Sequence, residues 1–129
     1  MERYSRDHVW IREAGDAYRV GISDFAQAEL GDIAYVDLPE VGRHLGRGEP
    51  ACTIESLKST SEVYAPVAGT VSAVNEALRD EGRAAAVNRD PLDGGWLFAM
   101  VPDRPAEVDG LLTPAQYREW LAGTAGTSG

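Results

Sequence analysis

The sequence predicts a mainly β protein folded as a single domain. Glycine (14) and proline (7) together supply 21 of the 129 residues, which suits many short elements joined by turns better than a few long helices. Several short runs alternate apolar and polar side chains with the period of a strand, and only two stretches carry helix-start chemistry. At this length there is room for one core, and the balance of 43% hydrophobic to 26% charged residues is that of a chain that folds.

Taken in order, HVWIRE and YRVGIS flank the turn-like Ala14-Gly15-Asp16 and predict a hairpin over Val9 to Ile22. SDFAQAELGD predicts a short helix, with Ser23 or Asp24 as cap, Gln27 in the capping-box position and Gly31 as the stop. In IAYVDLPEVG, Ile33 and Tyr35 alternate with Ala34, Val36 and Leu38, which predicts a strand with both faces partly covered. VGRHLGRGEP is a glycine-punctuated loop in which His44 is expected to be merely solvated. Residues 51–75 form the most patterned stretch. Cys52 and Ile54 point one way on an ascending run, Val63 and Ala65 on a descending one, and Leu57-Lys58-Ser59-Thr60 lies between them as a hairpin tip. Pro66 to Gly69 turns the chain into a further strand, TVSAV. NEALRDEGRAAAVNRDP has no clean period and is expected to be loop with a turn of helix, whereas GGWLFAMVP reads as a buried strand. TPAQYREW starts a helix, with Thr113 as cap, Pro114 at its first position and Gln116 three residues on. These elements define one domain over residues 1–122, followed by a flexible tail over 123–129.

Charge and cysteine content narrow the function. Twelve basic residues against 21 acidic ones leave a formal charge of −9, the wrong sign for gathering nucleic acid or anionic lipid. One cysteine and two histidines cannot form an internal disulfide and make a protein-only metal cage improbable, so no metal site is assigned. No apolar run has the length of a membrane span, and the opening MERYSRDHVWIREAG has no apolar centre of the signal-peptide kind. A reducing compartment, the cytoplasm, is the expected location. Cys52 falls on the inward face of its run and is read as a small buried side chain; Trp10, Trp96 and Trp120 are read as core residues.

Eleven of the twelve basic residues are arginine, so Lys58 is the only lysine in the chain. Its ammonium, on a flexible stem, is the one side-chain amine that can accept an amide-linked group, since a guanidinium stays protonated. A hairpin tip would present that amine to a modifying enzyme and let the attached group swing. The alternative is a lysine spared by composition at an exposed turn. No nucleophile, base and orienting group converge in the sequence, so a free-standing enzyme is not expected.

The letters around Lys58, ESLKSTSEVYAPVAGTVSAVN, resemble the lipoyl-lysine segment of the glycine cleavage system H proteins. RYSRDHVWIR, GISDFAQAELGDIAYVDLPEVG and VNRDPLDGGWLFAM resemble further segments of that family in the same order, and the likeness covers roughly residues 3 to 121. The resemblance implies a barrel-sandwich hybrid of two small antiparallel sheets with short flanking helices. It implies a carrier and not an enzyme, with lipoate covalently bound to Lys58. The arm would take an aminomethyl group from glycine at the glycine decarboxylase and deliver it to the tetrahydrofolate-dependent aminomethyltransferase, with dihydrolipoyl dehydrogenase reoxidising it. It further implies that Glu55, Ser56, Leu57, Ser59, Ser61 and Glu62 form the surface read by the lipoate-attaching enzyme. Asp7, His8, Val9 and Glu29 would then lie at the cleft that shelters the arm.

Three positions depart from the family. Val9 stands between His8 and Trp10 where a glutamate is usual, DEGRAAAVN replaces a proline-containing loop, and Leu92 replaces a tyrosine. With the usual carboxylate missing, Asp7 or Glu29 becomes the candidate counter-charge for a cationic cargo. The departures keep open an H-like carrier of another pathway, and an unmodified interaction module is the alternative from a different class. A biotin carrier is disfavoured because Leu57 and Ser59, not methionines, flank the lysine, and a 2-oxoacid dehydrogenase lipoyl domain because the tip is not D-K-A.

Overall fold

The structure, a computed structural model, describes residues 2–80 and 83–128, with side chains described as far as residue 123. Two antiparallel sheets face each other. The larger contains β1 (Glu2–Tyr4), β2 (Val9–Ala14), β3 (Ala17–Ile22), β5 (His44–Leu45), β8 (Gly69–Val74) and β9 (Phe98–Pro102), in the spatial order β1-β2-β3-β9-β8-β5. The smaller contains β4 (Ile33–Asp37), β6 (Pro50–Ser56) and β7 (Thr60–Tyr64), in the order β4-β6-β7. Short helices surround them: α1 (Asp24–Leu30), a 3-10 turn (Glu76–Arg79), α2 (Ala86–Arg89), α3 (Ala106–Asp109) and α4 (Pro114–Ser128). This is the mainly β class that the sequence predicts, in the two-sheet form that the family resemblance implies.

The predicted hairpin is β2–β3, paired from Val9↔Ile22 to Ala14↔Ala17, and Gly15 takes φ +69 in its two-residue turn. Its inward side chains, Val9, Ile11, Val20 and Ile22, meet Ile33, Val36, Ile54 and Val63 of the smaller sheet in one buried cluster. A second cluster on the other side of the larger sheet holds Tyr4, Trp10 and Tyr117, so α4 packs there. Trp10 is fully buried, and Gly21 opposite it has no room for a side chain, because a Cβ there would stand 2.7 Å from the indole. Trp96 and Trp120 are only partly buried against this cluster.

Several expectations are corrected. In β4 a bulge between Ile33 and Tyr35 breaks the alternation, so Ile33 and Val36 both face the core while Tyr35 is half exposed. His44 is not simply solvated: it lies in β5 and its Nε2 is 2.7 Å from Asp103 Oδ2 in an exposed pair. The weakly patterned stretch after β8 contains two short helical pieces, the 3-10 turn and α2, with residues 81 and 82 between them outside the described residues. Helix α4 opens on a reciprocal capping box, Gln116 N–H donating to Thr113 Oγ1 at 3.1 Å and Thr113 N–H to Gln116 Oε1 at 3.0 Å. Its backbone stays helical to Ser128, past the boundary expected at residue 122, while Gly129 lies outside the described residues. Strands β1 and β5 and helix α3 have no counterpart in the sequence reading, since runs this short carry no period.

Candidate functional site

Strands β6 and β7 pair from Pro50↔Tyr64 to Glu55↔Thr60 and leave Leu57, Lys58 and Ser59 at the tip. The turn is stapled from within by Ser56. Its Oγ accepts from Lys58 N–H at 3.3 Å and Ser59 N–H at 3.1 Å, and donates to the Ser59 carbonyl at 3.1 Å. A second tie runs from Leu57 N–H to the Asp32 carbonyl, 2.9 Å away, and holds the tip against the loop after α1. These bonds fix the backbone and leave the side chains free. Leu57 is 78% exposed, Lys58 is exposed, and among the described residues Lys58 takes part in no ion pair. Glu55, Ser59 and Glu62 are exposed and Ser61 is half-buried, so of the six tip residues singled out from sequence only Ser56 has its polar group occupied by the turn.

The Lys58 stem lies across Gly31, the residue that ends α1. A Cβ at Gly31 would be 3.6 Å from Lys58 Cε, and the backbone there has φ +76, a conformation suited to glycine. Behind this crossing, a cleft of about 220 Å³ opens between α1, the start of β2 and the inner edge of β6–β7. All four residues assigned to the arm cleft from sequence, Asp7, His8, Val9 and Glu29, line it. Val9 is buried at its floor, while Asp7 and Glu29 are exposed at its mouth. Ile22, Phe25, Leu30 and Ile54 add apolar wall, and Ser61 and Glu62 complete it on the hairpin side.

The cleft is supported from beneath. Ser23 caps α1, its Oγ accepting from Ala26 N–H at 3.1 Å. Asn88 of α2 clamps the other end of α1. Its Oδ1 accepts from Ile33 N–H at 2.9 Å, and its Nδ2 donates to the Gly31 carbonyl at 2.8 Å and to Gln27 Oε1 at 3.0 Å. Gln27 in turn donates to Asp24 Oδ1, so this pair braces the helix. His8 has φ +67, unusual for a residue with a side chain; its carbonyl accepts from Ser23 N–H at 2.9 Å. Burial pushes its imidazole below the ordinary value, against the opposing pull of Asp7 and Glu29. Cys52 is buried in the core, and desolvation pushes its thiol up to about 12, so it is inert as sequence suggests.

Sequence reasoning missed Phe25, Leu30, Asn88 and the whole contribution of α4. The signal for Leu30 was its place on the helix face that also presents Ala26; nothing local marks the approach of Tyr117 to His8 across 109 residues of chain. Among the described residues no cluster of three or more His, Cys, Asp or Glu could hold a metal ion, and no helix is long and apolar enough to cross a membrane.

The hairpin offers one exposed amine beside a shallow, largely apolar cleft, an arrangement suited to carrying an attached group. Comparison with known proteins makes the class specific. The chain matches the family model of the glycine cleavage H-protein over residues 2–124. It is 49% identical over 119 residues to a glycine cleavage system H protein of Anoxybacillus flavithermus, covering 92% of each chain, and 50% identical over 117 residues to one of Micrococcus luteus, covering 89% and 90%. Its fold is similar to the crystal structure of a glycine cleavage system H protein from Mycobacterium marinum, with a TM-score of 0.80, 37% identity and coverage of 97% and 96%. The chain belongs to the glycine cleavage H-protein family, the lipoyl carriers of the glycine cleavage system. It is therefore a carrier subunit and not a catalyst, working with the enzymes of that system.

Proposed function

We propose that Lys58 is the lipoylated residue and that the arm carries an aminomethyl group from glycine decarboxylase to the tetrahydrofolate-dependent aminomethyltransferase, with dihydrolipoyl dehydrogenase closing the cycle. The observation that carries this reading is the placement of the only lysine, exposed and without an ion pair among the described residues, at a hairpin tip stapled by its own backbone bonds. When bound, the lipoyl group supplies a disulfide that can be opened by the cargo and reclosed. The chain's own residues do the rest. Glu55, Leu57, Ser59 and Glu62 are available to the lipoate-attaching enzyme, while Ser56 and Ser61 hold the shape that they present. Acylation removes the charge of Lys58, so the arm can lie over Gly31 and along the apolar wall of the cleft. Tethering keeps the cargo at high effective concentration at each docking enzyme.

Val9 leaves the cleft floor without a carboxylate, and Asp7 and Glu29 at its mouth supply the counter-charge for a cationic cargo instead. The carrier domain is built from residues 1–122, with the backbone of α4 continuing as helix past that boundary, and works in the cytoplasm. The decisive experiment is reconstitution with the lipoate-attaching enzyme and glycine decarboxylase. Wild-type protein should gain the mass of one lipoyl group on the peptide containing Lys58 and support exchange of the glycine carboxyl carbon with bicarbonate; Lys58→Arg should do neither, because arginine keeps the charge and loses the acylatable amine. Exchange that survives in Lys58→Arg would overturn the assignment. Lipoylation without exchange would point to a carrier of another pathway, and unmodified mass to an interaction module.

A further inference from the structure

Helix α4 reaches His8, a residue of the arm cleft, from the opposite side of the larger sheet through the Tyr117 hydroxyl and the Trp120 ring. Tyr117, buried and stacked on Tyr4 with ring centroids 4.3 Å apart, places its phenol oxygen 2.8 Å from His8 Nδ1 and 2.7 Å from Ser23 Oγ. The His8 ring also meets Phe25 of α1 and Trp120 of α4, with centroids at 4.9 and 5.3 Å. Its other nitrogen, Nε2, has no partner among the described residues. His8 is thus gripped on one edge, in a strained backbone conformation, with the remaining edge unengaged.

The hydrogen-bonding capacities of the three groups favour one arrangement of the protons. Tyr117 has one O–H and two neighbours, so one neighbour must donate to it. A phenol is a better donor than an aliphatic hydroxyl or a neutral imidazole N–H, and imidazole nitrogen is the best acceptor of the three. The favoured chain therefore runs from Ser23 O–H to the Tyr117 oxygen and from Tyr117 O–H to His8 Nδ1, while Ser23 Oγ still accepts the capping N–H of Ala26. A phenol donating to Nδ1 requires that nitrogen to be unprotonated, which leaves a neutral imidazole with its hydrogen on Nε2.

That charge state matters for what surrounds the ring. The charged groups facing His8 are Asp7 beside it and Glu29 from α1; Glu62 of β7 lines the same cleft, and α4 contributes only the Tyr117 phenol and the Trp120 indole. An imidazolium at this place would pair with Asp7 and Glu29 and repel a cationic group entering the cleft. We propose that Tyr117 is a positioning residue of the carrier: with Ser23 it holds His8 as the neutral Nε2–H tautomer, so that Asp7 and Glu29 remain free to receive the cationic cargo borne on Lys58. The inference rests on the carrier reading for the identity of that cargo. Burial of His8 works in the same direction, disfavouring its charged form.

The test uses Tyr117→Phe, which keeps the ring in its stack and removes only the hydroxyl, with Tyr4→Phe as control, since the Tyr4 hydroxyl bonds to Glu2 and not to His8. Nitrogen-15 NMR of the unlipoylated protein reads the His8 tautomer and its titration midpoint. Wild type and Tyr4→Phe should show the Nε2–H tautomer and a midpoint below 6.5. In Tyr117→Phe the midpoint should rise and the tautomers mix. On the lipoylated protein loaded with glycine and decarboxylase, each unit of that rise multiplies the protonated fraction up to about tenfold, so at pH 6 the loaded arm should survive roughly two- to tenfold less long in Tyr117→Phe than in Tyr4→Phe. A wild-type His8 protonated at Nδ1, a midpoint unmoved in Tyr117→Phe, or equal loaded lifetimes in the two variants would overturn the proposal. Failure of the carrier reading is separately visible, because wild type itself would then not load.

Discussion

Protonating His8 should destabilise the fold. Its imidazole lies below the ordinary 6.5 because burial disfavours the cation, so between the folded value and 6.5 the unfolded chain binds more protons than the native one. Stability must then rise with pH across that window and fall as acid is added. Urea unfolding at intervals from pH 5 to 7.5 should show a steeper loss on the acid side for wild type than for His8→Asn, a substitution that tolerates the φ of +67; parallel curves would mean that His8 does not titrate with folding. At this scale the sequence was legible wherever one residue type settles the matter. The lone Lys58, the inward Cys52 and the Thr113 cap needed no knowledge of distant neighbours. The state of His8 could not be read, because it depends on Tyr117, Phe25 and Trp120, which local spacing does not bring together.

The elements that position the site are short, and what holds them is largely side chain. Helix α1 has only seven residues, none of them fully buried, so besides the packing of Ala26 and Leu30 on the core its placement rests on Ser23 at one end and the Asn88 clamp at the other. Asn88→Ala would leave the Ile33 N–H and the Gly31 carbonyl unpaired, and should lower the unfolding free energy by about 1–3 kcal/mol in chemical denaturation. Hydrogen exchange should quicken at Ile33 more than in the β2–β3 hairpin. An effect below about 0.5 kcal/mol would show that α1 is held by other means. The β2–β3 and β6–β7 hairpins were readable because alternation and turn residues agree there. β4 misled because a bulge adds a residue to the strand and shifts the face of everything after it, and Tyr35 turned outward as a result.

One buried cluster joins the inner faces of both sheets, from Val9 and Ile22 to Ile54 and Val63, and the smaller Trp10–Tyr117 cluster lies on the other side of β2. Since β2 contributes to both, the two should be lost together. Trp fluorescence, far-ultraviolet circular dichroism and the reactivity of Cys52 towards a thiol reagent should follow a single urea transition, the thiol being buried and pushed up to about 12 in the native state. Fluorescence changing ahead of the other two would indicate that α4 detaches first. The family resemblance foretold the two-sheet architecture. The sheet order could not be read from local pattern, because β9 pairs with β3 and β8, strands far from it in the chain.

A hairpin tip that holds the only lysine is also the only place where a lysine-directed endoprotease can cut this polypeptide. Any acyl group on that nitrogen would abolish the cleavage site, so a simple digest followed on a gel reports the fraction of molecules carrying one. The same solitude leaves no decoy: an electrophile that scavenges ε-amines in the cell has a single target here, and one hit would leave no side-chain amine to acylate.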